Sequence, residues 1–334
     1  MSIKLAVYGY DSDIGKLVIE TIDEQGIEFS EVYPLSPLGG EYDAVRIGKK
    51  NYFVEPVDRF DFSKADVAIF LTTQDESQRW VNEAREKGCI VVDNSHLFSG
   101  DGNTVTIVPE LNPYDSKKAL ESRLCIPALA SSVQLCFALS VLHDEYGVAK
   151  ATVTSLESAS EYGRLGTETL AHETTLLLNG MQGEHQGFQE ALAFNLHTKM
   201  GTVEENGNTD HENTIVREVS SILGRFARGL EVTSILVPVF YGHTMVVNVE
   251  LEERTSVDKI KSLIEKSQLL TLAADDQLLT PVTDIINERT VMISRLRENG
   301  TGGKSFSFVI MIDNTRRGEA ISVVEIVKLL AKQL

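Results

Sequence analysis

Basic residues are scarce in this sequence: Lys and Arg total 31 against 49 Asp and Glu, so the net charge at pH 7 is -18. A surface this acidic repels phosphate backbones and anionic lipid headgroups. Nucleic acid and membranes are therefore excluded as expected partners. Long apolar runs are also missing, since none approaches the roughly 20 residues of a membrane-spanning helix. The start, MSIKLAVYGY, has no signal-peptide pattern, and we expect a cytoplasmic protein.

Cysteine is scarce as well. Cys89, Cys125 and Cys136 lie in apolar settings, and no two of them have the CxxC spacing. Zinc sites and disulfide frameworks use closely spaced or paired cysteines. The sequence therefore indicates buried free thiols, and we expect no metal.

The chain length indicates two domains, because 334 residues exceed what one hydrophobic core usually serves. Hydrophobic residues make up 42% and charged residues 24%, a balance typical of folded globular proteins. In the first third, strand patterns alternate with helix patterns, and several strands are continuous apolar runs, such as DVAIFLT and CIVVDNS. This alternation predicts a Rossmann-like α/β domain with a doubly wound parallel sheet.

The pattern changes after residue 130. ATVTSLESAS, ERTVMISRLREN and KSFSFVIMIDNT alternate apolar and polar residues, as half-buried strands do, and ILVPVFYGHTMVVNVELEE is also interpreted as strand-like. TETLAHETTLLLNG indicates a helix. We expect residues 1–130 to form the first domain and residues 131–314 to form an α+β domain. The final helix pattern predicts that residues 315–334 pack back on the first domain.

VYGYDSDIG follows the first strand and opens the first helix, which is the context of a glycine-rich phosphate loop. Its candidate positions are Gly9, Ser12, Ile14 and Gly15. Ser12 replaces the middle glycine of a GxxGxxG spacing, and the acidic residues beside it oppose a pyrophosphate. Two interpretations stay open: nucleotide binding, or a tight turn kept for the fold. The next β-loop, YPLSPLGGEYD, has no basic residue for a 2′-phosphate, which disfavours NADP.

A second feature is CIPALASSVQLC, where Ser131 and Ser132 open the apolar run VQLCFALSVL. The run predicts a buried helix, and small hydroxyl residues often begin helices. The start of a helix also stabilises an anion, so a catalytic thiolate is favoured there. The residue just before the serines is Ala130, whose methyl group offers no such chemistry.

Taken together, these features resemble the aspartate-semialdehyde dehydrogenase family over nearly the whole chain. The matching stretches, in order, are GYDSDIG, GCIVVDNSHLF, IVPELNP, ASSVQLCFAL, SLESASEYGRLGTETL, AFN, NTDHENTIVREVSSIL, VPVFYGHT and IDNTRRGEA. The resemblance implies a Rossmann domain followed by an α+β domain that holds substrate and forms a dimer. It also implies NADPH-dependent reduction of an acyl phosphate to an aldehyde, through a cysteine thioester, in amino-acid biosynthesis.

The sequence departs from that chemistry at two reacting positions. The family's Asn-Cys-Ser/Thr motif falls on Leu129, Ala130 and Ser131, and a methyl group cannot form a thioester. The glutamine that orients the family's intermediate falls on Glu157, where a carboxylate is expected to repel an anionic substrate.

Three cations that bind the substrate's anionic groups in the family are also replaced. The arginine before Val-Pro-Val falls on Leu236, and the arginine after an Asn-Ser-Ser-Ala-Phe-like stretch falls on Ser99. The lysine of a Glu-Glu-x-Lys motif falls on Thr214. A dianionic substrate loses on the order of several kcal/mol of binding free energy without such partners. We therefore predict that phosphate-bearing substrates bind poorly.

The family's catalytic base is retained as His243 in GHT, and Asn314 matches at a position assigned to the cofactor. His243 also has a structural interpretation, in which it packs and hydrogen-bonds once its thiol partner is gone. Other nucleophiles are disfavoured: Ser131 needs an adjacent general base, and Cys136 lies about 9 Å along the helix axis from Ala130.

Two functions from different classes follow. The first is a catalytically silent homologue, similar to the Usg-type members that lack the catalytic cysteine, acting by binding or partner interaction. The alternative is an NAD(P)-dependent oxidoreductase acting on an aldehyde or acyl phosphate. NAD or NADP is the only cofactor indicated. The expected assembly is a homodimer, with a mixed dimer of this chain and an active relative as the other possibility.

Overall fold

The computed structural model describes residues 3–37, 43–48, 50–181, 183, 185–224 and 229–334. Residues 38–42 of YPLSPLGGEYD lie outside this range, so the lack of a basic residue there stays a sequence observation. The strands are β1 (Lys4–Tyr8), β2 (Glu31–Ser36), β3 (Ala44–Ile47), β4 (Lys50–Phe53), β5 (Glu55–Pro56), β6 (Val67–Phe70), β7 (Ile90–Asp93), β8 (Val105–Ile107), β9 (Leu124–Pro127), β10 (Val148–Glu157), β11 (Leu230–Leu236), β12 (His243–Leu251), β13 (Leu270–Leu272), β14 (Val291–Glu298) and β15 (Ser305–Ile312). The helices are α1 (Asp13–Glu24), α2 (Gln74–Glu86), α3 (Ser116–Ser122), α4 (Ala130–Tyr146), α5 (Gly163–Leu178), α6 (Asp210–Leu223), α7 (Val257–Ile264) and α8 (Ile321–Ala331).

The chain forms two compact units. The first contains Met1–Ala128 with Glu319–Leu334, and the second contains Leu129–Gly318. Helix α8 thus belongs to the first unit, where it contacts α1 and α3.

The first unit is built on a parallel sheet in the order β5-β2-β1-β6-β7-β9-β8. Successive side chains of a strand point to opposite faces. Accordingly, Leu5 and Val7 of β1 pack in a core with α1 and α8, whereas Ala6 and Tyr8 pack in a second core with α2. Both faces of the sheet are therefore covered by helices, as in a doubly wound fold.

The second unit is built on a mixed sheet in the order β11-β10-β12-β15-β14-β13. Strand β11 is parallel to β10, while β12 is antiparallel to β10 and to β15. Helix α4 contacts the same sheet, and residues 130–140 of it are all buried, as expected for a helix that is apolar on every side. The predicted fold class, a parallel Rossmann-like sheet plus an α+β domain, is confirmed.

One expected strand is interrupted. ILVPVFYGHTMVVNVELEE forms two strands, because β11 ends at Leu236 and β12 begins at His243. Pro238 has no amide hydrogen for a sheet, and Gly242 adopts a φ of 90°, which favours glycine. The interruption places His243 at the first position of a strand, close to the last residue of β10.

Within the part of the chain that the structure describes, no helix has both the length and the apolar character needed to cross a bilayer.

Candidate functional site

Helix α4 begins at Ala130, the position that the resemblance assigns to the nucleophile. Ala130 is 2% exposed, and a Cβ added to Gly318 would come within 2.5 Å of its methyl group. The amide of Leu129, just before the helix, donates to Oε2 of Glu218 at 2.9 Å. The start of a helix favours such a negative charge. Here the anion is a carboxylate from α6, and residue 130 contributes no reactive atom.

Glu218 changes its protonation near neutral pH. Burial raises the pKa of its carboxyl to about 7, and the hydrogen bond from the Leu129 amide offsets only part of that rise. The start of α4 therefore faces a carboxyl group that is ionised in part of the population at pH 7.

The cysteines of the chain do not offer a reactive thiolate. Cys89, Cys125 and Cys136 are buried free thiols. Burial raises the pKa of Cys89 and Cys125 to about 12, and it raises that of Cys136 well above the ordinary value. Because the thiolate is the reactive form, all three are inert at neutral pH. The Oγ of Ser131 is buried and has no hydrogen-bond partner among the described residues, so no base activates it there.

Glu157 ends β10 with its side chain fully buried. Its Oε2 lies 2.9 Å from Nε2 of His211 on α6 and 3.9 Å from Nε2 of His243. Burial disfavours the charged carboxylate, but the positive charge and hydrogen bond of His211 lower the pKa of Glu157 to about 2. Burial also lowers the pKa of His211, yet the nearby carboxylate raises it overall to about 9. The carboxylate that the sequence presents as repulsive is thus paired with an imidazolium of the same chain.

His243 is hydrogen-bonded through both of its ring nitrogens. Nδ1 accepts from the backbone amide of Ser158 at 3.1 Å, and the Oγ of Ser158 lies at the same distance. An amide can only donate, so the proton of the neutral ring is on Nε2. Nε2 donates to Oε2 of Glu161 at 2.9 Å. The ring is therefore held in one tautomer, with its N–H directed at a carboxylate.

Asn314 links the segments that carry this histidine. Its Oδ1 accepts from the amide of Gly242 at 2.9 Å, and its Nδ2 donates to the Oγ of Ser160 at 2.9 Å. The Oγ of Ser158 donates to the same Oδ1 at 3.3 Å. Asn314 is fully buried, so these bonds fix the start of β12 against the segment after β10. The structure thus places this predicted cofactor residue in the hydrogen-bond network of His243.

The three positions that the resemblance assigns to anion-binding cations hold small or apolar groups. Leu236 is 2% exposed and packs in an apolar cluster of the second unit. The Oγ1 of Thr214 donates to the Asp210 carbonyl at 2.8 Å and accepts from Arg217 at 2.9 Å, so a guanidinium lies one helical turn away. Ser99 lies in the first unit, where its amide donates to the carbonyl of His96 at 3.0 Å.

The loop between β1 and α1 in the first unit is a closed backbone turn. A Cβ added to Gly15 would come within 2.1 Å of the Gly9 carbonyl oxygen, so only glycine fits there. The Oγ of Ser12 donates to that same carbonyl at 2.8 Å and accepts from the Gly15 amide at 2.9 Å. The serine side chain thus folds back onto the loop and caps α1. Ile14 packs against the core, and its amide lies at the helix start, where amides have no intrahelical acceptor.

Three residues of this site escape the sequence reasoning: Glu161, His211 and Glu218. All three lie in sequence stretches that match the family, and each is close to a residue that departs from the family's pattern. Glu161 follows Glu157 by four residues, and His211 precedes Thr214 by three. The sequence offers one indication of these residues: acidic or histidine side chains close to positions that depart from the family's pattern. No spacing rule pairs Glu157 with His211, because they are 54 residues apart in the chain.

Two family models match the sequence. One, described as the semialdehyde dehydrogenase NAD binding domain, covers residues 4–119. The other, described as the semialdehyde dehydrogenase dimerisation domain, covers residues 139–317. Among curated proteins, aspartate-semialdehyde dehydrogenase 2 of Vibrio cholerae is 28% identical over 98% of this chain and 97% of its own.

Solved structures share the fold over their full length. The crystal structure of aspartate semialdehyde dehydrogenase II from Vibrio cholerae, complexed with ASA, has a TM-score of 0.94 at 27% identity and covers 99% of both chains. A probable aspartate-semialdehyde dehydrogenase from Pseudomonas aeruginosa has a TM-score of 0.92 at 25% identity, again over 99% of both chains.

Proposed function

The chain belongs to the semialdehyde dehydrogenase family, and from that premise we propose that it binds a nicotinamide nucleotide but does not perform thioester chemistry. Its role is then that of a catalytically silent, cysteine-lacking homologue, which acts through ligand or partner binding. The observation that carries the proposal is Ala130 at the start of α4, buried against Gly318. Covalent reduction of an acyl group needs an ionisable nucleophile at that helix start. The buried, un-ionised thiols of this chain supply none.

The first unit fits NAD or NADP. The turn between β1 and α1 is closed by backbone, and the side chain of Ser12 is folded onto it instead of projecting from it. The amide of Ile14 at the helix start would hold the pyrophosphate, because a helix N-terminus attracts phosphate. A bound nicotinamide would supply hydride transfer.

The second unit does not favour a dianionic substrate. Leu236 offers an apolar surface where a guanidinium is needed, and Glu157 and Glu161 bring two carboxylates to His243. Net negative charge in a buried site raises the free energy of binding of an acyl phosphate. A neutral or cationic ligand suits these surroundings better.

An oxidoreductase is the second candidate, and His243 is the observation that favours it. The ring is held in a single orientation by Ser158 and Glu161, as a general base usually is. Arg217 also leaves one cation near the position of Thr214. These residues would serve a reduction that needs no covalent intermediate, acting on an aldehyde with little negative charge.

We also propose that the second unit forms a homodimer, since the matching family model is described as a dimerisation domain. Large apolar side chains are exposed on this unit, among them Leu178 at 75%, Leu278 at 83% and Val282 at 65%. These side chains are candidates for the surface that a second copy of the chain would cover. A mixed dimer with an active relative would use the same unit, and co-expression of the two chains followed by native mass spectrometry separates the two assemblies.

The proposal is tested by following NADPH formation at 340 nm with aspartate semialdehyde, phosphate and NADP⁺. The enzyme of Vibrio cholerae serves as the positive control. We expect no turnover above background from the wild-type chain. Ala130→Cys is expected to stay inactive, because the anion-binding cations are missing as well as the thiol.

Turnover by the wild-type chain at a rate near that of the Vibrio enzyme would refute the silent-homologue proposal. Activity in Ala130→Cys alone would show that the cysteine is the only essential loss and that the changed cations matter little. Intact-mass measurement of both chains after exposure to substrate shows whether an acyl group is attached.

A further inference from the structure

The acidic residues around His243 exceed what a catalytic base requires. One oxygen from each of Glu157 and Glu161 and one ring nitrogen of His243 lie within 4.8 Å of one another. A single carboxylate is enough to orient an imidazole. The side chain of Glu161 is only 14% exposed, and those of Glu157 and His243 are fully buried. Two carboxylates therefore meet one imidazole in a site largely shielded from water.

The Glu157 carboxylate lies beside both histidines of this site. Its Oε2 is 2.9 Å from Nε2 of His211 and 3.9 Å from Nε2 of His243. The hydroxyl of Ser155, on the same strand, also donates to this carboxyl group. An oxygen of Glu161 nevertheless lies within 4.8 Å of a Glu157 oxygen in this shielded site, and two like charges at such a distance repel unless a cation lies between them.

We propose that Glu157, Glu161 and His243 form a binding site for a divalent first-row transition metal such as Zn²⁺. Carboxylate oxygens and imidazole nitrogen are the donors that these ions take in proteins, with water completing the coordination. His211 acts as an outer partner, since its hydrogen bond to Oε2 orients the Glu157 carboxylate toward His243. The site is independent of the nucleotide and of the proposed loss of thioester chemistry. It also differs from the sequence expectation of no metal.

Metal binding changes the proton position on His243. Without metal, Nε2 carries the proton and donates to Glu161. Ligation needs the lone pair of Nε2, so the proton moves to Nδ1. The Oγ of Ser158 lies 3.1 Å from Nδ1 and donates to Asn314, which leaves a lone pair to accept the Nδ1 proton. The Ser158 amide must then turn away from Nδ1. Loss of that hydrogen bond makes the site weaker than a fully preorganised zinc centre.

The test is a calorimetric titration of chelator-stripped full-length protein with ZnCl₂ in a buffer that lacks phosphate. We expect one ion per chain, and at least about a tenfold loss of affinity in Glu161→Gln. Glu161 lies at the edge of the buried network, so Glu161→Gln is expected to keep the fold, which circular dichroism verifies.

His185→Ala is the matched control. His185 Nδ1 also contacts a buried carboxylate, that of Glu173, at 2.9 Å, but it is not part of the three-ligand cluster. Its zinc affinity is expected to equal that of the wild type. Co²⁺ gives a second readout, because visible absorption reports its ligand set and is expected to differ between the wild type and Glu161→Gln.

Two results would overturn the proposal. One is equal affinity in the wild type and Glu161→Gln, which would mean that zinc binds adventitiously at surface groups. The other is no binding by the wild type at zinc concentrations up to about 1 mM.

Discussion

In the first unit, the loop between β1 and α1 is made by backbone: Gly9 at a φ of 85°, Gly15 against a carbonyl, and helix amides at the turn. In the second unit, the site around His243 is made by side chains from β10, β12 and α6. The two regions have changed differently from the family's pattern. The loop forms its turn with Ser12 at the middle position, whereas the site has Ala130 at the start of α4 and two carboxylates beside His243.

The difference follows from the groups on which each region depends: backbone amides in the loop, and particular side chains in the site around His243. A backbone amide is present whatever the side chain, so Ser12 can be accommodated by turning its Oγ onto the Gly9 carbonyl. A thioester needs one particular sulfur atom, so an alanine at the position of the nucleophile, as proposed for Ala130, would be enough to remove the reaction. We therefore propose that binding through backbone persists in the first unit, while chemistry through side chains is lost in the second.

The largest effect is expected from Glu157→Gln, which removes the partner of a buried imidazolium. Breaking a buried charge pair costs about 3 to 5 kcal/mol of unfolding free energy, and we expect the lower end because His211 can release its proton. Urea denaturation measures the change. The control is Glu168→Gln, which breaks the exposed pair of Glu168 with Arg164 at 2.8 Å and should cost less than about 0.5 kcal/mol. A similar loss of unfolding free energy in both variants would contradict the pairing of Glu157 with a buried, charged His211.

The next effect concerns Glu218 and pH. Its pKa is about 7 when folded against 4.5 for an ordinary carboxyl. Because the folded protein holds this proton more tightly, its contribution to stability is fully present below pH 4.5 and is lost as the pH rises toward 7. The difference between these two pKa values corresponds to a loss of about 3.5 kcal/mol, at about 1.4 kcal/mol per pKa unit. Glu218→Gln should remove this component from the pH dependence of urea stability. An unchanged profile would show that the carboxyl is ionised throughout.

A smaller effect is expected from Gly15→Ala in the loop. The new Cβ would lie 2.1 Å from the Gly9 carbonyl oxygen, which is backbone and cannot move aside cheaply. We expect a loss of about 1 to 3 kcal/mol of unfolding free energy, together with loss of nucleotide binding. Gly102→Ala is the control, because nothing lies within 4 Å of a Cβ built there. Normal nucleotide affinity in Gly15→Ala would show that the turn is not needed for binding.

The smallest effect is expected from Ser12→Ala, which removes the N-cap of α1. The expected cost is about 1 kcal/mol, whereas Ser12→Gly should cost only a few tenths. Thermal unfolding of the two variants separates capping from steric effects. If Ser12→Gly were the less stable of the two, the cap would not be the reason for the serine.

The sequence is most informative where the pattern is local. The apolar run after Ser132 predicts a buried helix, and α4 confirms it, because a run of that length has nowhere to lie except the core. The break between Leu236 and His243 is not recognised, since the surrounding apolar residues hide the effects of Pro238 and Gly242. The pairing of Glu157 with His211 is also beyond the sequence. It arises only when β10 and α6 pack together, and no periodicity links them.

The measurement that tests the central comparison most directly is a calorimetric titration of the wild-type chain with NADPH, and then with NADH, in a buffer of low phosphate concentration. If the backbone loop still binds a dinucleotide, one site per chain with an affinity in the roughly micromolar range is expected. No binding heat up to about 1 mM nucleotide would contradict the account. The loop would then be a structural turn, and the chain a binding protein without a cofactor.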